Sequence, residues 1–203
     1  MQTSGEASKK FHDIQIAAGV SFEEKNYTKL MANTARWLID ELKPTSCLEI
    51  GPGVGCFLAE MNDRGVDAWG LDLNEFSKEY FIQHKPHLSH KYIIIDTSKL
   101  WRSRFVCTEY DLVVAIESFE HMPEDVIDTY LGNLKTEWFY FSSTPHHFEP
   151  HEVNGELVTE ESWGHISVFS EKEWIDRFQR FGYKLIKQPK VVTEWDLLFK
   201  KSH

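Results

Sequence analysis

Positive charge is the scarcest commodity in this sequence. Its 203 residues hold 22 lysines and arginines against 32 aspartates and glutamates, a formal net charge of −10, with no Lys/Arg block longer than a pair. A groove for polyanionic nucleic acid leaves a basic footprint, so no nucleic-acid partner is expected. Cysteine is scarce too: Cys47, Cys56 and Cys107 form no C-x-x-C pair. An odd count without a framework excludes a disulfide scaffold and reads as reduced, buried thiols in a cytoplasmic protein. No apolar run approaches the ~20 residues that cross a bilayer. Met1 to Lys10 is polar and lacks a signal core, so no membrane partner is expected. The dinucleotide fingerprint G-x-G-x-x-G is missing as well, because Cys56 stands where its third glycine would fall.

What is present organises itself around one stretch. The apolar run Cys47-Leu48-Glu49-Ile50 ends in Gly51, Gly53 and Gly55, spaced by single residues, and a helix-like segment follows. Glycine lets the backbone turn tightly and approach a ligand closely, and the helix start offers unpaired N–H groups. Strand, glycine turn and helix start together form the nucleotide-handling corner of an α/β fold.

The rest of the chain repeats this alternation. Residues 1–21 are polar, then mixed, and read as loosely held. A helix over 24–42 follows, with Leu30, Thr34, Trp37, Leu38 and Leu42 at three- and four-residue steps and Pro44 as its stop. It packs on the core, or its lead-in with Phe22 and Tyr27 folds over a ligand as part of a lid. Further strands are expected at 67–71, 92–95, 111–116 and 138–143. Helices are expected at 56–64, 75–84, 123–134 and 171–181, and two late strands near 183–187 and 192–200 read as an antiparallel pair at the sheet edge. The fold class is α/β, a doubly wound, Rossmann-like sheet of about seven strands, mostly parallel with an antiparallel strand near the C-terminal edge. With neither repeat nor linker, 1–203 reads as a single domain, with 1–44 a helical lead-in and 146–169 a loop or lid insertion.

In such a sheet, ligands bind beyond the carboxyl ends of the strands. Each strand delivers polar chemistry there: the glycines, then Asp72, Asp96-Thr97, Glu117-Ser118, and Thr144-Pro145-His146. Asp72 falls 17 residues after Gly55, within reach of a ribose whose other end lies on the glycine turn; taken alone it also suits a helix N-cap. Asp96 suits an acceptor for an adenine amino group, or a plain turn.

Glu49-x-Gly51-x-Gly53-x-Gly55, Gly70-Leu71-Asp72-Leu73-Asn74, Ile95-Asp96-Thr97 and Tyr110-Asp111-Leu112-Val113 resemble the ordered motifs of class I S-adenosylmethionine-dependent methyltransferases. The similarity is to the small-molecule branch whose fourth strand runs into a Glu-His pair, here Glu120-His121, and it covers roughly residues 45–187. Four motifs in order are more specific than any one. The resemblance implies S-adenosyl-L-methionine as cofactor and S-adenosyl-L-homocysteine as product. It places Glu49, Gly51, Gly53 and Gly55 at the methionine end, Asp72 at the ribose, Asp96 at the adenine, and Glu117 and Ser118 under the sulfonium, with Leu73 and Thr97 also binding the cofactor. It implies methyl transfer to an oxygen or nitrogen of a small-molecule acceptor such as a sugar or secondary metabolite, by a monomer or homodimer. Methylation of a macromolecule, or cofactor binding without turnover, are the alternatives.

An oxygen acceptor calls for a base near neutral pKa, which histidine provides. The catalytic candidates are His121, His146 and His165, each set against an ordinary rim, loop or architectural histidine. The stretch 146–152 packs three imidazoles and two carboxylates into seven residues, but Pro150 marks a loop and the spacing is no helical ligand pattern. It reads as a solvated loop, and no metal ligands are assigned.

Overall fold

Strands that are apolar along their whole length need cover on both faces, and this chain supplies it. The computed structural model describes residues 5–95, 104–145, 151–153, 156–159 and 163–202. Five parallel strands, β1 (Ser46–Ile50), β2 (Asp67–Asp72), β3 (Tyr92–Ile94), β4 (Glu109–Ile116) and β5 (Lys135–Ser142), lie in one sheet. A short hairpin, β6 (His151–Val153) and β7 (Glu156–Val158), stands apart from it. The sheet is completed by β8 (Tyr183–Lys187) and β9 (Leu197–Lys201), in the order β3-β2-β1-β4-β5-β9-β8. β9 pairs antiparallel with both β5 and β8, so it alone runs against the other six. The expected architecture is thus the observed one, with the antiparallel strand one place in from the edge.

Alternation along the central strands divides the core in two. Leu48, Ile50, Val113, Ala115, Phe139 and Phe141 face one layer, while Cys47, Leu112, Val114 and Tyr140 face the other. Helices α2 (Lys25–Leu42), α3 (Cys56–Asp63) and α4 (Glu75–His84) cover the second set. The first lies under α5 (Arg104–Cys107), α6 (Glu124–Asn133) and α7 (Glu171–Arg180). Helix starts follow local chemistry: Ser170 and Glu173 form a capping box on α7. The Asn74 side chain accepts from the N–H groups of Phe76 and Ser77 to start α4.

One expectation at the start of the chain changes. Residues 5–17 are not loosely held but form a helix, α1 (Gly5–Ala17). Its anchors lie far along the chain: the Asn74 amide donates to the Ser8 carbonyl at 3.0 Å, and the His12 ring meets the Ser77 hydroxyl at 3.2 Å. Phe22 stacks on His84, ring centroids 5.0 Å apart, and fastens the α1–α2 link to α4, while Tyr27 lines a cavity beside the glycine turn. Helix α2 buries Met31, Thr34, Ala35 and Leu38 and so packs on the core. Among the described residues, no helix is long and apolar enough to cross a membrane.

The chain runs from β1 out through β2 to β3, then returns across β1 to β4 and β5. The strand order therefore reverses between β1 and β4. Their carboxyl ends, with the glycine turn and Glu117, border the crevice this leaves.

Candidate active site

The turn after β1 is shaped by close approach. Gly51 has φ +70, donates its N–H to the Leu71 carbonyl at 2.8 Å, and lies so near β4 that a Cβ would stand 2.5 Å from the Ser118 Cβ. At Gly55, φ +84, a Cβ would stand 2.3 Å from the Phe81 ring. Both the left-handed backbone and the space require glycine.

Asp72, at the end of β2, ties this turn down. One carboxylate oxygen accepts from the Gly53 N–H at 3.0 Å and the Tyr92 hydroxyl at 3.0 Å, and the other accepts from the Asn74 N–H at 2.9 Å. The Tyr92 hydroxyl also sits 2.7 Å from the Gly53 carbonyl. Asn74, not Asp72, caps α4. Burial raises the Asp72 pKa, and hydrogen bonds from Asn74, Tyr92, Gly53 and the Leu73 N–H pull against that rise. Leu73, next in the chain, is 39% exposed and lines the cavity beside the turn.

Glu49 is only 4% exposed, and one of its carboxylate oxygens is buried with no hydrogen-bond partner. Burial, with the nearby Asp72 charge adding to it, pushes its pKa up to about 8. A buried carboxylate left without a partner is costly, and a cation placed beside it would reverse the shift.

At the end of β4, Glu117 adopts φ +46, unusual for a residue with a side chain. Ser142 donates to one of its carboxylate oxygens at 2.8 Å, and the Thr144 hydroxyl donates to the other at 2.6 Å. The Ser118 hydroxyl beside it is buried without a partner. Glu120 is fully buried. Ser143 donates to one of its oxygens at 3.0 Å, and the other has no partner. Burial, with Glu117 behind it, pushes Glu120 well above the carboxylate range.

The Glu120 carbonyl accepts from the N–H groups of Ile166 (2.8 Å) and Ser167 (3.0 Å). This brings His165 against His121, with ring centroids 4.9 Å apart. Ligating atoms of Glu120, His121 and His165 all lie within 4.8 Å of one another.

Two cavities meet here. The larger, about 680 Å³, is bordered by Gly51, Gly53, Asp72, Glu117, Ser118 and His121. The smaller, about 320 Å³, shares Gly51, Gly53, Glu117 and His121 and adds Glu49, Glu120 and His165. The structure thus brings together Glu49, Gly51, Gly53, Asp72, Leu73, Glu117, His121 and His165 around joined space. Gly55 stands behind the turn as the N-cap of α3 and does not line it. Asp96, Thr97 and His146 lie outside the described residues.

The sequence reading passed over several neighbours. Phe11 and Gln15 of α1 line the larger cavity, and Phe11 packs edge-on against His121 and Trp163. Nothing local marks them. Asn74 was findable as a cap residue directly before a helix. Tyr92 was not, since its role is set by a turn 39 positions earlier.

The model of the family described as "Methyltransferase domain" matches residues 22–188. A search of curated proteins finds no match. Among solved structures, the chain is similar to magnesium protoporphyrin IX methyltransferase from Synechocystis PCC 6803 with bound SAH. The identity is 14% over 87% of this chain and 84% of that one, with a TM-score of 0.61. It is similar to DesVI of Streptomyces venezuelae, at 13% identity over 88% and 93% with a TM-score of 0.65. It is also similar to a Burkholderia thailandensis 1,6-didemethyltoxoflavin-N1-methyltransferase with bound 1,6-didemethyltoxoflavin and S-adenosylhomocysteine, at 14% identity over 100% and 92% with a TM-score of 0.65. At these identities the likeness is one of fold.

Proposed function

The chain belongs to the methyltransferase domain family, and from that premise we propose that it transfers a methyl group from S-adenosylmethionine to an oxygen or nitrogen of a small-molecule acceptor. The observation that carries the cofactor assignment is Glu49, whose buried, unpartnered carboxylate oxygen sits at the glycine turn. An ammonium group is the partner it lacks, and the amino-acid end of S-adenosylmethionine has one. The absence of the dinucleotide glycine spacing fits a cofactor without phosphate.

The remaining roles extend this reading. The turn at Gly51 and Gly53 lets the backbone reach the methionine moiety, and Gly55 lets α3 begin close behind it. Asp72 accepts the ribose hydroxyls. Leu73 offers an exposed apolar surface for a flat ring, with Asp96 and Thr97 at the adenine edge. Glu117 and Ser118 stand under the sulfonium. The cofactor supplies a methyl group on an already activated leaving group, so the chain's own work is alignment and proton removal. His121 and His165, on the wall shared with the smaller cavity, handle the acceptor's proton, with His146 the third candidate. Helix α1 borders the larger cavity together with Thr159, Trp163 and Gly164, and the chain acts as one domain. The overall negative charge supports a small acceptor over nucleic acid, and the buried free thiols of Cys47 and Cys56 fit a cytoplasmic protein.

Calorimetry with S-adenosylhomocysteine tests the central claim, and no heat at millimolar ligand would overturn it. Asp72→Ala should weaken binding at least ~10-fold, the loss of one charged hydrogen-bonding group. Unchanged affinity would show that Asp72 only pins the turn.

A further inference from the structure

The space between the two cavities holds three side chains, Glu120, His121 and His165, that cofactor binding does not use. Glu120 is fully buried with one oxygen satisfied by Ser143 and the other unpartnered. Glu117, three residues earlier, lies near enough for its charge to push the Glu120 pKa further up. Two imidazoles complete the group, and their ligating atoms and that of Glu120 fall within a sphere of contacts no wider than 4.8 Å.

This convergence is built by the backbone. The Glu120 carbonyl receives the N–H groups of Ile166 and Ser167, and the Ser167 hydroxyl donates to the Met122 carbonyl at 2.6 Å. Two segments distant in sequence are therefore clamped so that His165 faces Glu120 and His121. Ligands about 2.0–2.2 Å from a divalent ion stand roughly 3–4 Å from each other, so a small side-chain rotation suffices to close the set. Two imidazoles with carboxylate favour a first-row transition ion over calcium or magnesium.

We propose that Glu120, His121 and His165 form a divalent transition-metal site whose open positions face the cavities and take a hydroxyl group of the acceptor. His121 borders both cavities, and Glu120 and His165 border the smaller one. Three protein ligands with cavity-facing vacancies are the pattern of a catalytic site, whereas structural sites are closed. A hydroxyl on such an ion loses its proton near neutral pH. His121 and His165 thus act on the acceptor's proton through the ion they hold, not by accepting it: the hydroxyl proton leaves to solvent, the O–C bond forms as the C–S bond breaks, and sulfur keeps the electron pair. This use of the site rests on the methyltransfer reading, but the metal site itself does not. It narrows the acceptor to a hydroxyl compound, a diol being best suited because two oxygens can occupy two open positions.

Titration of the full chain with Mn²⁺, followed by loss of the free-ion electron paramagnetic resonance signal, tests it. The expected result is one bound ion per chain, with affinity reduced at least ~10-fold in both Glu120→Gln and His165→Ala. His165 is partly exposed, so that variant folds where the buried one fails, and its S-adenosylhomocysteine affinity by calorimetry should match the parent's. No Mn²⁺ uptake at about millimolar ion, in a chain that binds S-adenosylhomocysteine, overturns the metal site and leaves the methyltransferase reading standing. Uptake that His165→Ala does not weaken also overturns it. Mn²⁺ uptake that depends on His165, in a chain that gives no heat with S-adenosylhomocysteine, supports the metal site and refutes the cofactor reading instead.

Discussion

Lowering the pH from 8 to 6 should weaken S-adenosylhomocysteine binding roughly 50-fold, and Glu49 is the reason. In the free chain its pKa is pushed up to about 8 by burial and by Asp72. Tyr27 and Cys56 beside it are themselves pushed above their ordinary values, so they stay neutral across this range. An ammonium group needs the ionised carboxylate. At pH 6 only about one chain in a hundred offers it, so ionising Glu49 costs about 2.7 kcal/mol, two units at ~1.36 kcal/mol each. At pH 7 binding should release close to one proton, which calorimetry in two buffers of different ionisation enthalpy reads directly. At higher pH the ligand's own amino group loses its charge and closes the window from the alkaline side. Stability of the free chain runs in the opposite sense. Because the folded pKa lies above the unfolded value, the unfolded chain binds fewer protons between about pH 4.5 and 8, and stability falls as pH rises through that interval. The total is on the order of 5 kcal/mol. Glu49→Gln should therefore melt higher than the parent at pH 8, converge with it near pH 5, and bind S-adenosylhomocysteine weakly and without pH dependence. Parent affinity that is flat from pH 6 to 8, with no proton released, would refute the reasoning.

Other outcomes follow from the same geometry. Gly55→Ala places a methyl group 2.3 Å from the Phe81 ring on a left-handed backbone. Urea denaturation should show a loss of about 2–4 kcal/mol, and less than ~1 kcal/mol would mean that Phe81 gives way freely. Phe11 of α1 lines the larger cavity and packs on His121 and Trp163. Hydrogen exchange across Gly5–Ala17 should slow when S-adenosylhomocysteine is added, and Phe11→Ala should reduce that protection. Equal exchange with and without ligand would remove α1 from the site.

The fold was readable from the chain because its signals are local. Val113-Val114-Ala115 and Phe139-Tyr140-Phe141 are apolar at every position, which only a doubly covered strand tolerates. The three spaced glycines mark a turn through their own backbone freedom. The acidic side chains at the strand ends, Asp72 and Glu117, were readable by position, since a parallel sheet carries every strand end to one edge.

What the local pattern could not supply was partnership across distance. Helix α1 looks polar and weakly periodic, and is held as a helix by Asn74 and Ser77 on α4. Asp72 has the look of a cap, yet Asn74 takes that place and frees Asp72 to grip Gly53 and Tyr92. His121 and His165 each read as an isolated histidine with an ordinary alternative. Their meeting beside Glu120 depends on two backbone hydrogen bonds from residues 166 and 167. Composition and periodicity, which report on near neighbours and burial, therefore determined the sheet, its helices and the edge where chemistry gathers. Only the tertiary structure decided which polar groups there share a wall, because that depends on contacts between segments the sequence keeps far apart.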